Sequence, residues 1–182
     1  GSSKPFINGP APANAHRRLR EKIERCAQLC ESSPRNWYEG PQNPEALLIA
    51  TGAGLFYGQE ALQALNLADR MGLLKIGTSF PLPRDFLLEH LRRNQEVVFL
   101  EEGSPFLESG VQELYAQHAS NLPAIHFRGK TDGSLPSVGE LNPDLIIALL
   151  SDMLAVDHLA RPEQYDAGVT QAVKELIPDR DL

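Results

Sequence analysis

The chain has 182 residues, of which 42% are hydrophobic and 23% are charged, and its formal net charge is −7 at pH 7. These fractions are typical of a folded globular domain and exclude a collagen-like, fibrous or wholly disordered chain. The acidic balance argues against a nucleic-acid partner, because phosphate binding requires a positive surface. The longest apolar run, Leu145 to Leu150, is too short to cross a bilayer.

The predicted elements alternate between helices and strands. A linker over residues 4–15 leads into the first helix, and Pro34 follows that helix. The predicted helices span about 14–32, 56–71, 83–93, 106–118, 145–154 and 163–177. The predicted strands span 46–50, 73–78, 97–101 and 124–128. Strands joined by helices of this length indicate an α/β domain with a mostly parallel sheet covered on both faces.

The local patterns behind these elements are simple. Residues 46–50 are wholly apolar, as expected of a strand buried on both faces. Asn142 followed by Pro143 is a strong helix start, and the helix beyond is apolar almost all round. A helix of that kind must bury a second face, either inside its own domain or against a partner.

The basic residues are concentrated at the beginning of the chain, where residues 1–35 carry a net charge of +4 and residues 36–182 a net charge of −11. The basic cluster comprises Arg17, Arg18, Arg20, Lys22 and Arg25. We interpret it as the solvated face of a helix, with an acidic partner or an anionic lipid as the alternative. Gly1-Ser2-Ser3 resembles the remnant of a cleaved tag, so we expect the chain to be a piece of a longer protein.

Two cysteines, Cys26 and Cys30, are too few for a disulfide framework and predict a reducing, cytoplasmic location. Their spacing places both on one face of the first helix, where we expect core packing. The five histidines show no metal-binding spacing and are interpreted as surface or helix-face residues, and no nucleophile elbow of the hydrolase type occurs. No metal ligand and no catalytic residue are predicted.

Two glycine-containing segments resemble phosphate-binding loops. Thr51 to Gly54 follows the first predicted strand and opens a helix, but Tyr57 stands where the dinucleotide fingerprint requires a third glycine. Gly129-Lys130-Thr131 resembles the end of a P-loop that lacks its first glycine, so a polar turn is the preferred interpretation.

Glu101 and Glu102 end the third predicted strand, at the edge where open parallel sheets bind ligands. Adjacent residues of a strand point to opposite faces, so these two carboxylates are not a ready acid–base pair. The candidates for interface or active-site-facing loops are therefore Thr51, Gly52, Gly54, Glu101 and Glu102.

Several stretches occur in a fixed order along the chain: Ala50-Thr51-Gly52, Leu74-Lys75-Ile76-Gly77 before Phe80-Pro81-Leu82-Pro83, Val98 to Glu102 with Pro105-Phe106, and Gly139 to Pro143. Together with Ser33 to Asn36, they resemble the transketolase C-terminal-like domain of the large (alpha) subunit of indolepyruvate:ferredoxin oxidoreductase and related enzymes. The resemblance runs from about Arg17 to about Leu154.

The resemblance implies a three-layer α/β/α sandwich whose sheet has about five strands, mostly parallel with one antiparallel edge strand. It implies a domain division into a tag remnant (1–3), a linker with a helix (4–44), the α/β domain (45–160), and a helix with a tail (161–182). Enzymes of this family use thiamine diphosphate, Mg²⁺ and iron–sulfur clusters to oxidise 2-oxo acids. The matched domain holds none of these cofactors in the family and supports associations between subunits.

The resemblance therefore implies a non-catalytic domain that organises an interface and is inactive alone. Its partners would be the remaining domains of its subunit, a second oxidoreductase subunit and, for the whole enzyme, ferredoxin, and a homodimer is an option. Two alternatives stay open. One is a free-standing nucleotide or coenzyme A binder that uses the Thr51–Gly54 loop, and the other is a scaffold or regulatory module.

Overall fold

A computed structural model describes residues 10–158, 168, 171 and 172. The helices are α1 (Pro10–Glu31), α2 (Gly54–Ala64), α3 (Arg84–Leu91), α4 (Phe106–His118) and α5 (Pro143–Leu154), with a 3₁₀ turn at Ala119–Asn121. The strands are β1 (Trp37–Glu39), β2 (Ala46–Ala50), β3 (Met71–Lys75), β4 (Glu96–Leu100) and β5 (His126–Arg128). Within this described part, none of the helices is both long and apolar enough to cross a membrane.

The five strands form one sheet in the order β1-β3-β2-β4-β5. Strands β3, β2, β4 and β5 are parallel, and β1 pairs antiparallel with β3 at one edge. The central pair is in register from Leu47 opposite Val97 to Ala50 opposite Leu100. The predicted fold class, with its antiparallel edge strand, is therefore confirmed.

The core consists of two layers, because the side chains of β2 alternate between the two faces of the sheet. Ala46, Leu48 and Ala50 contribute to the layer beneath α2 and α5. Leu47 and Ile49 contribute to the layer beneath α3 and α4. All five β2 residues are 0% exposed, so the prediction of a strand buried on both faces is confirmed. The result is the predicted α/β/α sandwich.

Several element boundaries differ from the sequence prediction. Helix α1 begins at Pro10, within the segment predicted as a linker, since proline is tolerated in the first turn of a helix, and β3 spans Met71–Lys75 where a strand over 73–78 was predicted. The helix predicted over 56–71 ends at Ala64, because Asn66 adopts a left-handed conformation (φ 55°) that terminates helices, and Met71 already belongs to β3. Strand β1 was not located by its pattern, since three residues are too few to show alternation. The helix predicted over 163–177 lies outside the described residues, apart from residues 168, 171 and 172.

The start of α5 is as predicted, since Asn142 Oδ1 accepts a hydrogen bond from the Leu145 N–H at 3.0 Å and Pro143 is the first helical residue. The helix is covered by its own domain. Ile146 and Leu150 are fully buried, and the apolar residues on its flanks are partly buried against the same layer. The apolar surface of α5 is therefore not an unfilled interface.

Candidate functional site

The candidate residues lie where the topology of the sheet changes direction. From β2 the chain moves outward to β3, whereas from β4 it moves outward to β5 on the other side. Helices α2 and α4, which follow these two central strands, consequently lie on opposite faces of the sheet. Open α/β sheets bind ligands in the crevice that such a reversal creates at the carboxyl ends of the strands. Thr51, Gly52 and Gly54 follow β2, and Glu101 and Glu102 follow β4.

The Thr51–Gly54 loop uses its own hydrogen-bonding groups. The N–H groups of residues 54–56 donate to the carbonyl oxygens of residues 51–53 at 3.1, 3.4 and 3.0 Å, and Thr51 N–H donates to the Leu100 carbonyl at 3.1 Å. A phosphate cradle requires such N–H groups to be directed at the ligand. The hydrogen bonds of these four N–H groups are therefore those of a tight turn that leads into a helix.

The two glycines of this loop serve different structural purposes. Gly52 has φ +56°, a conformation that glycine adopts without a steric penalty. Gly54 is buried against the end of β4, where an added Cβ would collide with the carbonyl oxygen of Leu100. The glycine pattern that resembles a nucleotide-binding fingerprint is thus explained by backbone conformation and close packing.

Glu101 and Glu102 point in opposite directions, as expected for adjacent residues leaving a strand. Glu101 is 4% exposed, and its carboxylate oxygens accept hydrogen bonds from the N–H groups of Leu107 (2.8 Å) and Glu108 (2.9 Å). A carboxylate at this place caps the first turn of α4, which has no side-chain cap of its own at Pro105. Glu102 is exposed. Of this pair, only Glu102 is free to contact another molecule from the surface.

A second buried carboxylate occupies the loop that resembles a P-loop. Glu108 is 0% exposed, and it accepts hydrogen bonds from Lys130 N–H at 2.9 Å and from Thr131 N–H at 3.1 Å, as well as a short one from the Thr131 hydroxyl. Lys130 Nζ donates a short hydrogen bond to the Gly103 carbonyl. An internal carboxylate therefore takes the position that a phosphate would need, which supports the interpretation of this segment as a turn.

The same loop is closed by Asp132, which accepts hydrogen bonds from the N–H groups of Gly129 (2.8 Å) and Ser134 (3.0 Å). Partial burial raises the pKa of Asp132, but the hydrogen bonds from the Ser134 hydroxyl and from these two N–H groups outweigh it, and the net pKa lies below its ordinary value. Asp132 therefore stays ionised and holds the turn in place.

The cysteines and histidines differ in part from expectation. Cys30 is buried, as predicted for core packing, but Cys26 is exposed. His90 is 8% exposed, although the sequence indicated a surface or helix-face position, and it lies between the rings of Tyr38 and Phe86 at centroid distances of 4.6 and 4.9 Å. Burial lowers the pKa of His90. The described residues contain no group of three potential metal ligands.

Exposed aromatic residues mark the same edge of the sheet, although none of them was predicted as a candidate site residue. Phe56 is the third residue of α2, Phe80 follows β3, and Phe106 begins α4, with exposures of 67%, 69% and 60%. Because β2, β3 and β4 are parallel, all three follow the carboxyl ends of their strands. Phe80 and Phe106 stand beside prolines in the motifs Phe80 to Pro83 and Pro105-Phe106, and that flanking is the signal that could have indicated exposure.

Known proteins resemble this chain along most of its length. The indolepyruvate oxidoreductase subunits IorA of Pyrococcus abyssi and Pyrococcus horikoshii are 29% and 30% identical to it over 165 residues, which cover 91% of this chain and 24% of each relative. The same subunit of Archaeoglobus fulgidus is 31% identical over 124 residues, which cover 68% of this chain and 18% of that relative. The chain thus spans about a quarter or less of the length of these relatives. No protein-family model matches it.

Two solved structures also resemble the chain. A 2-oxoglutarate:ferredoxin oxidoreductase from Magnetococcus marinus has a TM-score of 0.48 and 14% identity, covering 82% of this chain and 24% of that one. An inactive β4 tetramer of a split-gene transketolase has a TM-score of 0.46 and 20% identity, covering 64% of this chain and 40% of that one. The strand order and register define the fold independently of these scores. The resemblance predicted from the sequence motifs is confirmed by the relatives: along nine-tenths of its length, this chain is similar to one segment of indolepyruvate oxidoreductase subunit IorA.

Proposed function

We propose that this chain is a non-catalytic middle domain of a 2-oxo acid:ferredoxin oxidoreductase that acts on an indolepyruvate-like substrate, and that it organises interfaces beside the active site. The observation that carries the proposal is the similarity of 91% of the chain to a segment that makes up 24% of the IorA relatives. A segment of that share corresponds to one domain of a larger subunit. The domain would comprise residues 45–160, preceded by a linker and helix (4–44) and followed by residues 161–182.

The chemistry of the described residues supports a structural role for this segment. The buried carboxylates of Glu101 and Glu108 accept hydrogen bonds from backbone N–H groups, and the N–H groups of Thr51 and of residues 54–56 donate to backbone carbonyls. These residues do not offer a donor set for a metal cluster or for a diphosphate. In this proposal thiamine diphosphate, Mg²⁺ and the iron–sulfur clusters are therefore held by other domains or subunits of a cytoplasmic enzyme, which passes electrons to ferredoxin.

The proposed contact surface is the exposed part of the crevice at the carboxyl ends of β2 and β4. Phe56, which follows β2, contributes an apolar side chain that is 67% exposed. Glu102, which follows the neighbouring strand β4, contributes an exposed carboxylate. An exposed aromatic side chain beside polar groups is typical of the core of a protein–protein contact. The rest of the subunit and a second oxidoreductase subunit are the proposed partners.

Titration calorimetry of the purified chain with thiamine diphosphate and Mg²⁺, with NAD and with coenzyme A tests the proposal against its main rival. We expect no binding tighter than about 1 mM for any of the three, because the N–H groups of Thr51 and of residues 54–56 already donate to backbone carbonyls and the turn around Lys130 and Thr131 is closed by the Glu108 carboxylate. Micromolar binding of NAD or coenzyme A that Gly52→Ala abolishes would instead establish a free-standing nucleotide or coenzyme A binder.

A capture experiment tests the interface itself. The immobilised chain is incubated with native cell extract, and the bound polypeptides are identified by mass spectrometry. We expect the wild-type chain to capture subunits of a thiamine diphosphate oxidoreductase, and Phe56→Ser to lose them. Leu29→Ser is the matched control, since Leu29 is 72% exposed on α1 and belongs to neither of the segments that follow β2 and β4. Capture of only unrelated proteins would favour a scaffold or regulatory module.

A further inference from the structure

An apolar groove lies between α1, α4 and the loop that leads into α3. Its volume is about 780 Å³, and small-molecule sites in proteins commonly occupy about 300–1,000 Å³. Phe80 and Phe106 line the groove and are 69% and 60% exposed, so it presents aromatic surface to the solvent. The other apolar side chains of the lining include Ile23, Ala27, Leu82 and Leu114.

The groove also carries one charge of each sign. Arg84, the first residue of α3, and Glu113, on α4, both line it, and both are exposed. Gln117 connects them, because its Oε1 accepts a hydrogen bond from Arg84 Nη2 at 2.7 Å and its Nε2 donates one to Glu113 Oε1 at 3.3 Å. Since the oxygen and nitrogen of an amide are about 2.3 Å apart, the guanidinium and the carboxylate lie no more than about 8.3 Å from each other.

Both charged groups keep hydrogen-bonding capacity for a ligand. A guanidinium has five N–H donors, and a carboxylate has about four acceptor sites. Within the described part of the chain, Gln117 is the one side-chain partner of Arg84 and of Glu113, and neither forms an ion pair there. A ligand with only a carboxylate would be attracted to Arg84 and repelled by Glu113, and a ligand with only an ammonium group would meet the reverse. The pair therefore favours a ligand that carries both charges.

We propose that this groove binds a free α-amino acid with a large apolar or aromatic side chain. The carboxylate accepts hydrogen bonds from Arg84, the α-ammonium group donates to Glu113, and the side chain packs against Phe80 and Phe106. The inference rests on this groove alone and does not depend on the proposed function.

The spacing of the two charged residues suits such a ligand. The ammonium nitrogen and the nearer carboxylate oxygen of an α-amino acid are about 3 Å apart, and charge-assisted hydrogen bonds are about 2.8 Å long. The zwitterion therefore spans nearly the same distance as the Gln117 amide, and it presents an acceptor to Arg84 and a donor to Glu113 in the same order. In the complex it takes the place of this amide, whose side chain is exposed.

The charges also distinguish this ligand from a segment of polypeptide. A backbone amide offers an acceptor and a donor, but it is uncharged and brings no counter-charge to Arg84 or to Glu113. Hydrogen bonds in which both partners are ionised are the stronger ones. The free zwitterion is thus the better match to the two ionised side chains.

NMR titration of the ¹⁵N-labelled chain with L-phenylalanine tests the site. We expect saturable shifts of the amide signals of groove residues, with a dissociation constant near 1 mM, which is about the affinity expected of a ligand with roughly a dozen heavy atoms. 3-Phenylpropionate lacks the ammonium group and 2-phenylethylamine lacks the carboxylate. Each should bind about fivefold more weakly, because each loses one ion pair and faces a like charge.

Two charge variants assign the two ends of the ligand. Arg84→Gln and Glu113→Gln should each weaken the binding of phenylalanine about fivefold. In addition, Arg84→Gln should abolish the preference for phenylalanine over 2-phenylethylamine, and Glu113→Gln should abolish the preference over 3-phenylpropionate. The matched controls are Arg92→Gln and Glu60→Gln, since both residues are exposed and neither lines the groove. They should leave binding unchanged, and the spectrum of each free variant verifies its fold.

A lack of saturable shifts up to the solubility limit of phenylalanine would overturn the proposal. Shifts confined to residues outside the groove, or an unchanged affinity in both charge variants, would overturn it as well. Equally tight binding of N-acetyl-L-phenylalaninamide, which is uncharged, would identify a polypeptide groove instead. Groove signals that shift with protein concentration in the absence of ligand would identify a second copy of the chain as the occupant, and this result would also refute the assignment.

Discussion

Replacing Glu108 tests the conclusion that its carboxylate holds the turn after β5. The side chain is fully buried and accepts hydrogen bonds from Lys130 N–H (2.9 Å), Thr131 N–H (3.1 Å) and the Thr131 hydroxyl. A hydrogen bond to a charged acceptor contributes about 1.5–3 kcal/mol, and an unsatisfied buried donor costs about 1–3 kcal/mol. Thr131 is exposed, so its groups regain water in a variant. We therefore expect Glu108→Ala to lower the free energy of unfolding by about 3–4 kcal/mol.

Glu108→Gln retains one carbonyl oxygen but directs an NH₂ group at a donor, so a loss of about 1–2 kcal/mol is expected. Glu113→Gln, on the exposed face of the same helix, should change stability by less than about 0.5 kcal/mol. Urea unfolding with a common slope measures all three values. Amide hydrogen exchange provides a local readout, because Lys130 and Thr131 should lose protection first. If Glu108→Ala were as stable as Glu113→Gln, the reasoning would be refuted.

Three further outcomes follow from packing, burial and hydrogen bonding. Gly54→Ala should lower the free energy of unfolding in urea by about 2–3 kcal/mol, because its Cβ would collide with the Leu100 carbonyl. Gly52→Ala should lower it by about 1–2 kcal/mol, because only its positive φ is unfavourable for alanine. Equal losses for the two variants would contradict this difference. Burial lowers the pKa of His90, so the unfolded state binds a proton at this residue more readily than the folded state does. The free energy of unfolding should therefore fall as the pH drops below about 6.5. The fall should be shallower in His90→Gln. A variant as pH-dependent as the wild type would contradict this. Asn36→Leu should lower the melting temperature through a loss of roughly 2–4 kcal/mol, since this buried amide bridges the end of α1 and the end of β3, and an unchanged midpoint would contradict the bridge.

The parts of the fold that could be predicted are those whose signal is local. The apolar run of β2 and the Asn142–Pro143 start of α5 each specify their structure within a few residues, and both agree with the structure. The alternation of such elements was sufficient for the mostly parallel sheet. The end of α2 was missed because a left-handed Asn66 is only one of several ways to stop a helix.

The roles of the candidate residues could not be predicted from the sequence. Each role depends on hydrogen-bond partners that only the folded chain brings close. Nothing in the sequence distinguishes Glu101 and Glu108 from other acidic residues. Their roles come from the backbone N–H groups that lie next to their carboxylates in the folded chain. The absence of a capping side chain at Pro105 was an available hint that another residue caps α4. The position of Glu101 and of the Thr51–Gly54 loop at one edge of the sheet was predictable, since parallel strands end at a common edge.

Both outermost strands, β1 and β5, are only three residues long. Each therefore exposes few unpaired backbone donors and acceptors on which a foreign strand could continue the ladder. Because both edge strands are short, the sheet is a poor template for the addition of further strands, either in fibrils or in swapped sheets. Assembly of this molecule is consequently directed to side chains, whose identity can distinguish one neighbour from another, and away from main-chain pairing, which cannot.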